Sequence, residues 1–343
     1  MSPVLGQDNT PKYSNEFLSL GVGARGFGMG RAQAAIVQDV TSSYWNPAGL
    51  LGISNGYEVA LMHSEFFAGI AKYDYLGFAM RIDSLSVLGI TAIRFGVDDI
   101  PDTRFLYDAN GALNYDNVQL FSAADYGFLF SYARDMGFLP GLYLGANFKV
   151  IYRNVGEFAS AWGFGLDAGA QYRPGKWMFG VMFRDITGTF TAWSHNTDNL
   201  KDIYTQTGNI IPQTTLEITL PRMILGVSRR FVIKENWGLM PALDLIATID
   251  GKRNVIIKTN SLSIDPVLGL ETDFKKLAFL RAGVSNFQEI KDFDGSTAIQ
   301  LQPSLGLGVR IKQLDVDYAL TDMGNDSDNY YSHIFSLTLR LDK

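Results

Sequence analysis

The sequence predicts an all-β protein, namely a transmembrane antiparallel β-barrel of about 14 strands with an N-terminal plug or hatch segment inside the barrel. Three observations predict this fold. Apolar residues alternate with small or polar ones along most of the chain, the long connections collect at one end of the predicted strands, and the last segment is itself an alternating strand. Because no other part of the chain remains to cover the apolar faces, we expect them to contact lipid.

The alternation is clearest in residues 162–172. Trp162 and Phe164 point to one side of the segment, whereas Gly163 and Gly165 point to the other. A period of two residues is that of a β-strand with two different faces, and a strand of roughly 9–11 residues is enough to cross a membrane. The segments predicted as strands are 57–67, 70–82, 85–96, 118–134, 141–153, 160–172, 176–185, 222–233, 236–249, 263–272, 277–286, 299–311, 313–320 and 331–341.

The connections between these strands are sorted by length. Short turns follow the second, sixth, eighth and twelfth predicted strands, and outer-membrane barrels have such turns on the periplasmic side and long loops outside. The final strand, 331–341, closes the barrel against the first one, and it resembles the terminal signal read by the outer-membrane insertion machinery. The predicted long connections are 98–117, 186–221, 250–262, 287–298 and 321–330.

Charged residues occur on the polar faces of the predicted strands. They are costly in lipid, so we expect them to face the lumen and to pair with opposite charges on neighbouring strands. We favour a structural polar network over a transport path as their role. The residues concerned are Lys149, Arg153, Asp167, Arg184, Asp244, Glu271, Arg281 and Arg310.

Composition excludes several classes of protein. The chain has 343 residues, no Cys and a formal charge of −6, so disulfides and thiolate metal sites are excluded and no nucleic-acid partner is expected. The mean hydropathy is +0.04, and no apolar run reaches the ~18 residues of a transmembrane helix. The first residues lack the features of a signal peptide. The expected location in the bacterial outer membrane therefore requires that such a peptide was removed or replaced.

No catalytic constellation is visible in the sequence. His63, His195 and His333 are far apart and lack metal-ligand spacing, and no Gly-x-Ser-x-Gly nucleophile motif occurs. We therefore expect a protein that is not an enzyme and that uses no cofactor and no metal ion.

Residues 1–55 do not follow the strand pattern. We divide the chain into a plug segment, 1–55, and a barrel, 56–343, within a single domain. Gly21, Gly23 and Gly26 have the spacing of a dinucleotide-binding motif, but the βαβ unit that this motif requires is missing. We expect these glycines to let a backbone pack tightly in a confined space.

Two stretches of the plug segment, GVGARGFGMG at 21–30 and DVTSSYWNPAGL at 39–50, resemble the N-terminal region of the FadL-like outer-membrane proteins. The resemblance is closest to the PorV/PorQ branch found in Bacteroidetes-type bacteria. It implies a fourteen-stranded barrel with the N-terminal segment folded inside. The residues that carry the motif are Gly26, Gly28, Gly30, Asp39, Trp45, Asn46, Pro47, Ala48 and Gly49.

The resemblance implies a role in type IX protein secretion. In that role the barrel, surrounded by outer-membrane lipid and lipopolysaccharide, binds a large translocon barrel and the C-terminal domains of secreted cargo proteins through its extracellular loops. Phe105, Leu106, Tyr107, Trp193 and Tyr204 are apolar residues in polar loops, and we expect them to make such contacts. The alternative is a FadL-like transporter of long-chain fatty acids or other hydrophobic small molecules. A soluble β-rich binding protein is a third possibility.

Overall fold

The computed structural model describes residues 14–54, 56–108, 110–197, 201, 205, 208, 215–291, 296–322 and 331–341. Within them, eighteen strands form one antiparallel sheet that closes on itself. The strands are β1 (Tyr57–Phe66), β2 (Ala71–Arg81), β3 (Ser86–Asp102), β4 (Gln119–Asp135), β5 (Leu142–Val155), β6 (Ala159–Tyr172), β7 (Trp177–Arg184), β8 (Thr189–His195), β9 (Leu216–Thr219), β10 (Arg222–Arg229), β11 (Phe231–Lys234), β12 (Trp237–Thr248), β13 (Ile257–Lys258), β14 (Ser263–Phe274), β15 (Ala278–Lys291), β16 (Thr297–Ile311), β17 (Leu314–Asp322) and β18 (Tyr331–Leu341).

The described helices are short. They are α1 (Ala24–Gly28), α2 (Ser42–Trp45) and three 3-10 helices at Glu16–Ser19, Pro47–Gly52 and Tyr115–Asn117. Among the described residues, no helix is both long and apolar enough to cross a membrane.

The first and last strands close the barrel. β1 pairs with β18 from Tyr57 opposite Leu341 to Glu65 opposite His333. β7 and β8 both pair with β6 and form one interrupted strand. β9, β10 and β11 follow one another as segments of one crossing. β9 pairs with β8, β10 with β7 and β11 with β12. β13 is only a short addition to β14. The described strands therefore cross the barrel fourteen times, which confirms the predicted closed antiparallel barrel.

The apolar face of the sheet points outward. In β18, Phe335 and Leu337 are exposed, whereas the alternate residues Ile334 and Ser336 are buried. Most strands likewise have exposed apolar residues alternating with buried ones, so that large apolar side chains cover the outside of the barrel. A band of this kind in water would be strongly unfavourable, because each exposed apolar side chain loses the free energy of burial. The outer surface is therefore a lipid-facing surface.

The hydrophobic core lies inside the barrel, between the wall and the N-terminal segment. Residues 14–54 occupy the lumen, and we call them the plug. Val22 and Leu50 of the plug belong to the same buried cluster as Tyr73, Ile93 and Ile151 of the wall. The plug thus takes the place that a second sheet or a helical layer has in a soluble β protein.

Several predicted loops are partly strands. The prediction that 186–221 is one long loop was wrong, because β8 and β9 lie inside it and pair with each other. The predicted loop 98–117 begins within β3, and the predicted loop 287–298 contains the ends of β15 and β16. These strands continue beyond the segments in which large apolar side chains alternate with small or polar ones. In the extensions the strands still pair through backbone hydrogen bonds, but the alternation that marks a lipid-facing strand is missing.

Candidate functional site

The plug motif around Asn46 is fixed from both sides. Its amide nitrogen donates to the carbonyl oxygen of Ala34 at 2.9 Å and to those of wall residues Ala170 and Val181 at 3.1 and 3.3 Å. Its side-chain oxygen accepts from the Ala48 N–H at 3.2 Å and so caps the following 3-10 helix. Pro47 stands at the first position of that helix, where a missing N–H costs nothing.

Trp45 lies against the glycine-rich stretch of the plug. Its indole N–H donates to the Val22 carbonyl oxygen at 3.0 Å. A Cβ atom at Gly26 would lie 2.8 Å from the Trp45 ring, so only glycine leaves room for the ring. Gly49 is also required for close packing, because a Cβ atom at this position would collide with the Val37 carbonyl oxygen and would lie 2.7 Å from the Ser42 hydroxyl. These contacts fold the two motif stretches onto each other.

Gly28 and Gly30 let the plug backbone touch the wall backbone. A Cβ atom at Gly28 would lie 2.8 Å from the Cα of Gly306, and one at Gly30 would lie 2.7 Å from the Val284 nitrogen. The Gly30 N–H donates to the Ser304 hydroxyl at 3.1 Å. The wall has glycines of its own at such contacts, where a Cβ atom would meet the plug backbone: Gly145, Gly180, Gly226, Gly269 and Gly283.

Polar wall side chains hold the plug through its backbone groups. One carboxylate oxygen of Asp244 accepts from the N–H groups of Gln33 and Ala34, both at 2.8 Å. Glu58 accepts from the Val40 N–H at 3.0 Å. Three further wall side chains bind plug backbone groups: Asn147 donates to Ser43, Gln171 to Ala34 and Val37, and Arg184 to Leu18 and Tyr44.

A chain of opposite charges joins the plug to β14, β15 and β17. Arg25 donates to Glu271 at 2.9 Å, Glu271 also accepts from Arg281 at 2.8 Å, and Arg281 reaches Asp317 at 2.5 Å. Burial disfavours the charged form of Arg25, but the Glu271 carboxylate outweighs burial and raises the pKa of Arg25. Asp39 approaches Arg25 at 3.8 Å and accepts from the Thr41 N–H at 2.9 Å.

A second set of inward charges lies at the break between β7 and β8. Lys149 pairs with Asp167 at 2.8 Å and also with Asp185. The Arg184 guanidinium lies 4.4 Å from the centroid of the Tyr44 ring. Inward charges thus pair with each other or hold the plug, as the sequence analysis expected for a structural network.

Arg81 clamps the end of the plug to the short-turn side of the barrel. Its guanidinium donates to the carbonyl oxygens of Leu51 at 2.9 Å and of Ser54 at 2.7 Å, and also to that of Ile53. A further bond at 3.2 Å reaches Ser84 in the turn between β2 and β3. The connection from the plug into β1 is therefore fixed.

The plug separates two cavities inside the barrel. The lower one, at the short-turn end, has a volume of about 650 Å³ and is bordered by Arg25, Gly26 and many charged side chains. The upper one, about 390 Å³, is bordered by Trp45, Ile224 and Ile246 together with Arg31 and Arg184. The contact between Gly26 and Trp45 therefore lies at the partition between the cavities.

The loop residues singled out in the sequence do not form one surface. Phe105 and Tyr107 are exposed, and Leu106 between them is half-buried. Trp193, in contrast, belongs to β8, is half-buried and stacks under the Arg153 guanidinium at 4.9 Å. The prediction that it lies in a loop was wrong, because β8 extends past the lipid-facing band. Tyr204 lies outside the described residues.

The sequence analysis missed several plug anchors on the wall, among them Glu58, Arg81, Asn147 and Gln171. The sequence does contain a feature that marks them, because each is a polar residue on the inward face of a strand with alternating apolar residues. The pattern shows that such a residue faces the lumen, but it cannot show which backbone group of the plug lies opposite.

Several solved structures have a similar fold. The CymD monoaromatic hydrocarbon channel matches with a TM-score of 0.56 and 14% identity over 94% of this chain and 98% of that one. The Ralstonia pickettii toluene transporter TbuX matches with a TM-score of 0.55 and 12% identity over 93% and 98%. This chain has the FadL-type fold. A Pseudomonas aeruginosa FadL homologue aligns with a TM-score of 0.52 and 11% identity over 93% and 98% of the two chains.

No family model and no curated protein matches the sequence. The FadL-type fold, with its apolar outer face, is that of an outer-membrane barrel. Two of the similar structures are named as a channel and a transporter. Membership of the PorV/PorQ branch stays a prediction.

Proposed function

We propose that the protein passes small hydrophobic molecules across the outer membrane, through the barrel lumen and past the plug. The observation that carries this proposal is the pair of cavities on either side of the Gly26–Trp45 contact. The names of the similar structures, a monoaromatic hydrocarbon channel and a toluene transporter, support the same class of substrate.

The upper cavity has the features of an entry site. Trp45, Ile224 and Ile246 supply apolar surface for a hydrophobic body, and small-molecule sites are mostly apolar with a few polar groups that fix orientation. Arg31 and Arg184 supply cations on the same lining, so a molecule with an anionic end is accommodated as well. Long-chain fatty acids, which combine both properties, remain within this substrate class.

Passage requires that the plug moves, because Trp45 is buried against Gly26 between the cavities. Replacing Trp45 with Ala removes the ring that fills this partition. We expect faster entry of toluene into vesicles that contain the purified variant, measured with an enclosed solvatochromic dye. Trp177→Ala, on the outer face, is the matched control, and equal uptake rates for wild type and both variants would argue against the lumenal path.

A second proposal is a binding role in type IX protein secretion. The resemblance of the plug to the PorV/PorQ branch supports it, as do the exposed Phe105 and Tyr107 on the connection between β3 and β4. Exposed apolar groups of this kind are common at protein contacts. The partners are a translocon barrel and the C-terminal domains of cargo proteins.

The test of this role is a pull-down from native outer membranes in detergent. Deleting 196–215 removes the connection between β8 and β9 without cutting either strand, and Phe105→Ser with Tyr107→Ser changes the other loop. If the role holds, a giant barrel co-purifies with the wild type and is lost from at least one variant. Absence of any such barrel from the wild-type sample would contradict it, while the toluene assay would be unaffected.

A further inference from the structure

Arg229 is a cation on the lipid-facing surface of the barrel. Ser228 before it is buried in the lumen, so strand alternation places Arg229 on the outer face. Its guanidinium carbon lies 5.1 Å from the centroid of the Trp177 ring and 5.0 Å from that of Phe231. Both rings are exposed on the outside, and together they hold the guanidinium at the surface by cation–π contacts.

The Arg229 side chain lacks an anionic partner within the described part of the protein. Its Nε atom is buried and has no hydrogen-bond partner, and no carboxylate of the described residues forms an ion pair with it. Arg134, which is also outward-facing, differs in that its guanidinium donates to the Tyr132 hydroxyl at 3.3 Å, whereas the Arg229 Nε donates to no group of the described residues. A cation at the edge of lipid is stabilised when an anionic group from outside the protein pairs with it.

An apolar groove begins at this cation. It has a volume of about 540 Å³ and runs along the outer face across β10, β12, β14 and β15. Ala282 and Pro241 are among the outward side chains that line it, and Leu243 and Leu268 flank them. A groove that is apolar along its length and cationic at one end is complementary to a molecule with an acyl chain and an anionic head.

The position of the cation defines the leaflet. Trp177 directly follows the turn 173–176, and β11, which contains Phe231, directly precedes the turn 235–236. These turns belong to the short-turn end of the barrel, which is the periplasmic end. Aromatic residues at this level lie among lipid head groups, and the lipids of the periplasmic leaflet are phospholipids.

We propose that Arg229, held between Trp177 and Phe231, binds the phosphate of a phospholipid of the periplasmic leaflet, and that an acyl chain of this lipid lies in the adjoining groove. The site is separate from the lumen and does not depend on the transport proposal. This part of the outer surface thus binds one kind of lipid, a phospholipid with an anionic phosphate, whereas the rest of the apolar band contacts lipid without such selection.

The experiment uses the full-length protein in phosphatidylcholine vesicles that contain a minor fraction of phosphatidylglycerol with a photoreactive diazirine on one acyl chain. After illumination, labelled peptides are quantified by mass spectrometry. We expect labelling of the segment 227–243 to fall about fivefold in Arg229→Gln, the factor expected for the loss of one cation next to an anionic lipid. Arg134→Gln, with the same charge change on the same end of the barrel, should keep wild-type labelling.

A second variant tests the groove without altering the cation. Ala282→Trp fills the groove from an outward position, and we expect it to lower the same labelling although Arg229 is intact. A heat-dependent gel shift confirms that each variant is folded. If Arg229→Gln does not fold, the labelling of 227–243 in Ala282→Trp alone tests the proposal. Equal labelling of 227–243 in wild type, Ala282→Trp and Arg229→Gln would overturn the proposal, as would a second protein chain cross-linked at this groove in place of lipid.

Discussion

The barrel wall and the plug are held by different kinds of contact. Most wall strands form backbone ladders with a neighbour on each side, and the sheet closes between β1 and β18. The plug packs against the wall in a shared core and is held by wall side chains such as Asp244 and Gln171, each of which binds two backbone groups of the plug. A single hydrogen bond contributes only about 0.5–1.5 kcal/mol, so we expect the loss of one plug anchor to weaken the plug locally and to leave the wall closed.

The largest effect is expected where the wall meets the membrane. Leu337→Arg places a charge on the outer face in the middle of β18, and we expect a loss of about 2–4 kcal/mol in the free energy of unfolding. Leu341→Arg, on the same face at the strand end, should cost about 0–1 kcal/mol. Denaturant titration of the two variants in phospholipid vesicles measures the difference. Equal losses would mean that β18 does not cross the hydrocarbon layer.

A smaller effect is expected at the plug anchor. Asp244→Ala leaves the N–H groups of Gln33 and Ala34 without their acceptor, so plug release should become easier by about 1–3 kcal/mol. Hydrogen–deuterium exchange of the plug amides measures this free energy. Asp244→Asn keeps an acceptor oxygen and should exchange at nearly the wild-type rate. If the alanine variant also exchanged as slowly as wild type, other contacts would carry the plug.

The smallest effect is expected inside the plug. Gly26→Ala brings a methyl group 2.8 Å from the Trp45 ring, and because the ring can shift, we expect a cost of about 1 kcal/mol. The change should raise the leak of small solutes from vesicles without lowering the unfolding midpoint of the barrel. Trp45→Phe in the same chain makes room and should restore part of the seal. A lowered midpoint in Gly26→Ala would show that the plug supports the wall.

The sequence predicts the wall well because lipid imposes a simple rule. In β16, Leu305 and Leu307 face outward while Ser304 faces the lumen, and this alternation is visible without any structure. Where the strand leaves the lipid, the rule no longer applies. For that reason β8 was predicted as a loop, and the inward position of Trp193 could not be foreseen.

The plug is predictable only in part. The Trp45-Asn46-Pro47 stretch is recognisable through resemblance, and Pro47 suits the first turn of a short helix. The partners of these residues come from distant strands, such as Ala170 and Val181 for Asn46. No local pattern relates residues more than a hundred positions apart, so the contacts that fix the plug had to come from the three-dimensional structure.

The clamp at Arg81 makes the plug a hinged flap. Its carboxyl end is secured at Leu51, Ile53 and Ser54, immediately before β1, whereas its described start at Ser14 lies beside Glu217 of β9. The passage proposed above therefore requires the Ser14 and Asn15 hydrogen bonds to Glu217, Thr191 and Thr219 to break, while the Arg81 contacts stay in place at the periplasmic rim. In the proposed passage, the opening would be largest at the extracellular side, and the plug would return to the same position as long as the Arg81 hydrogen bonds persist.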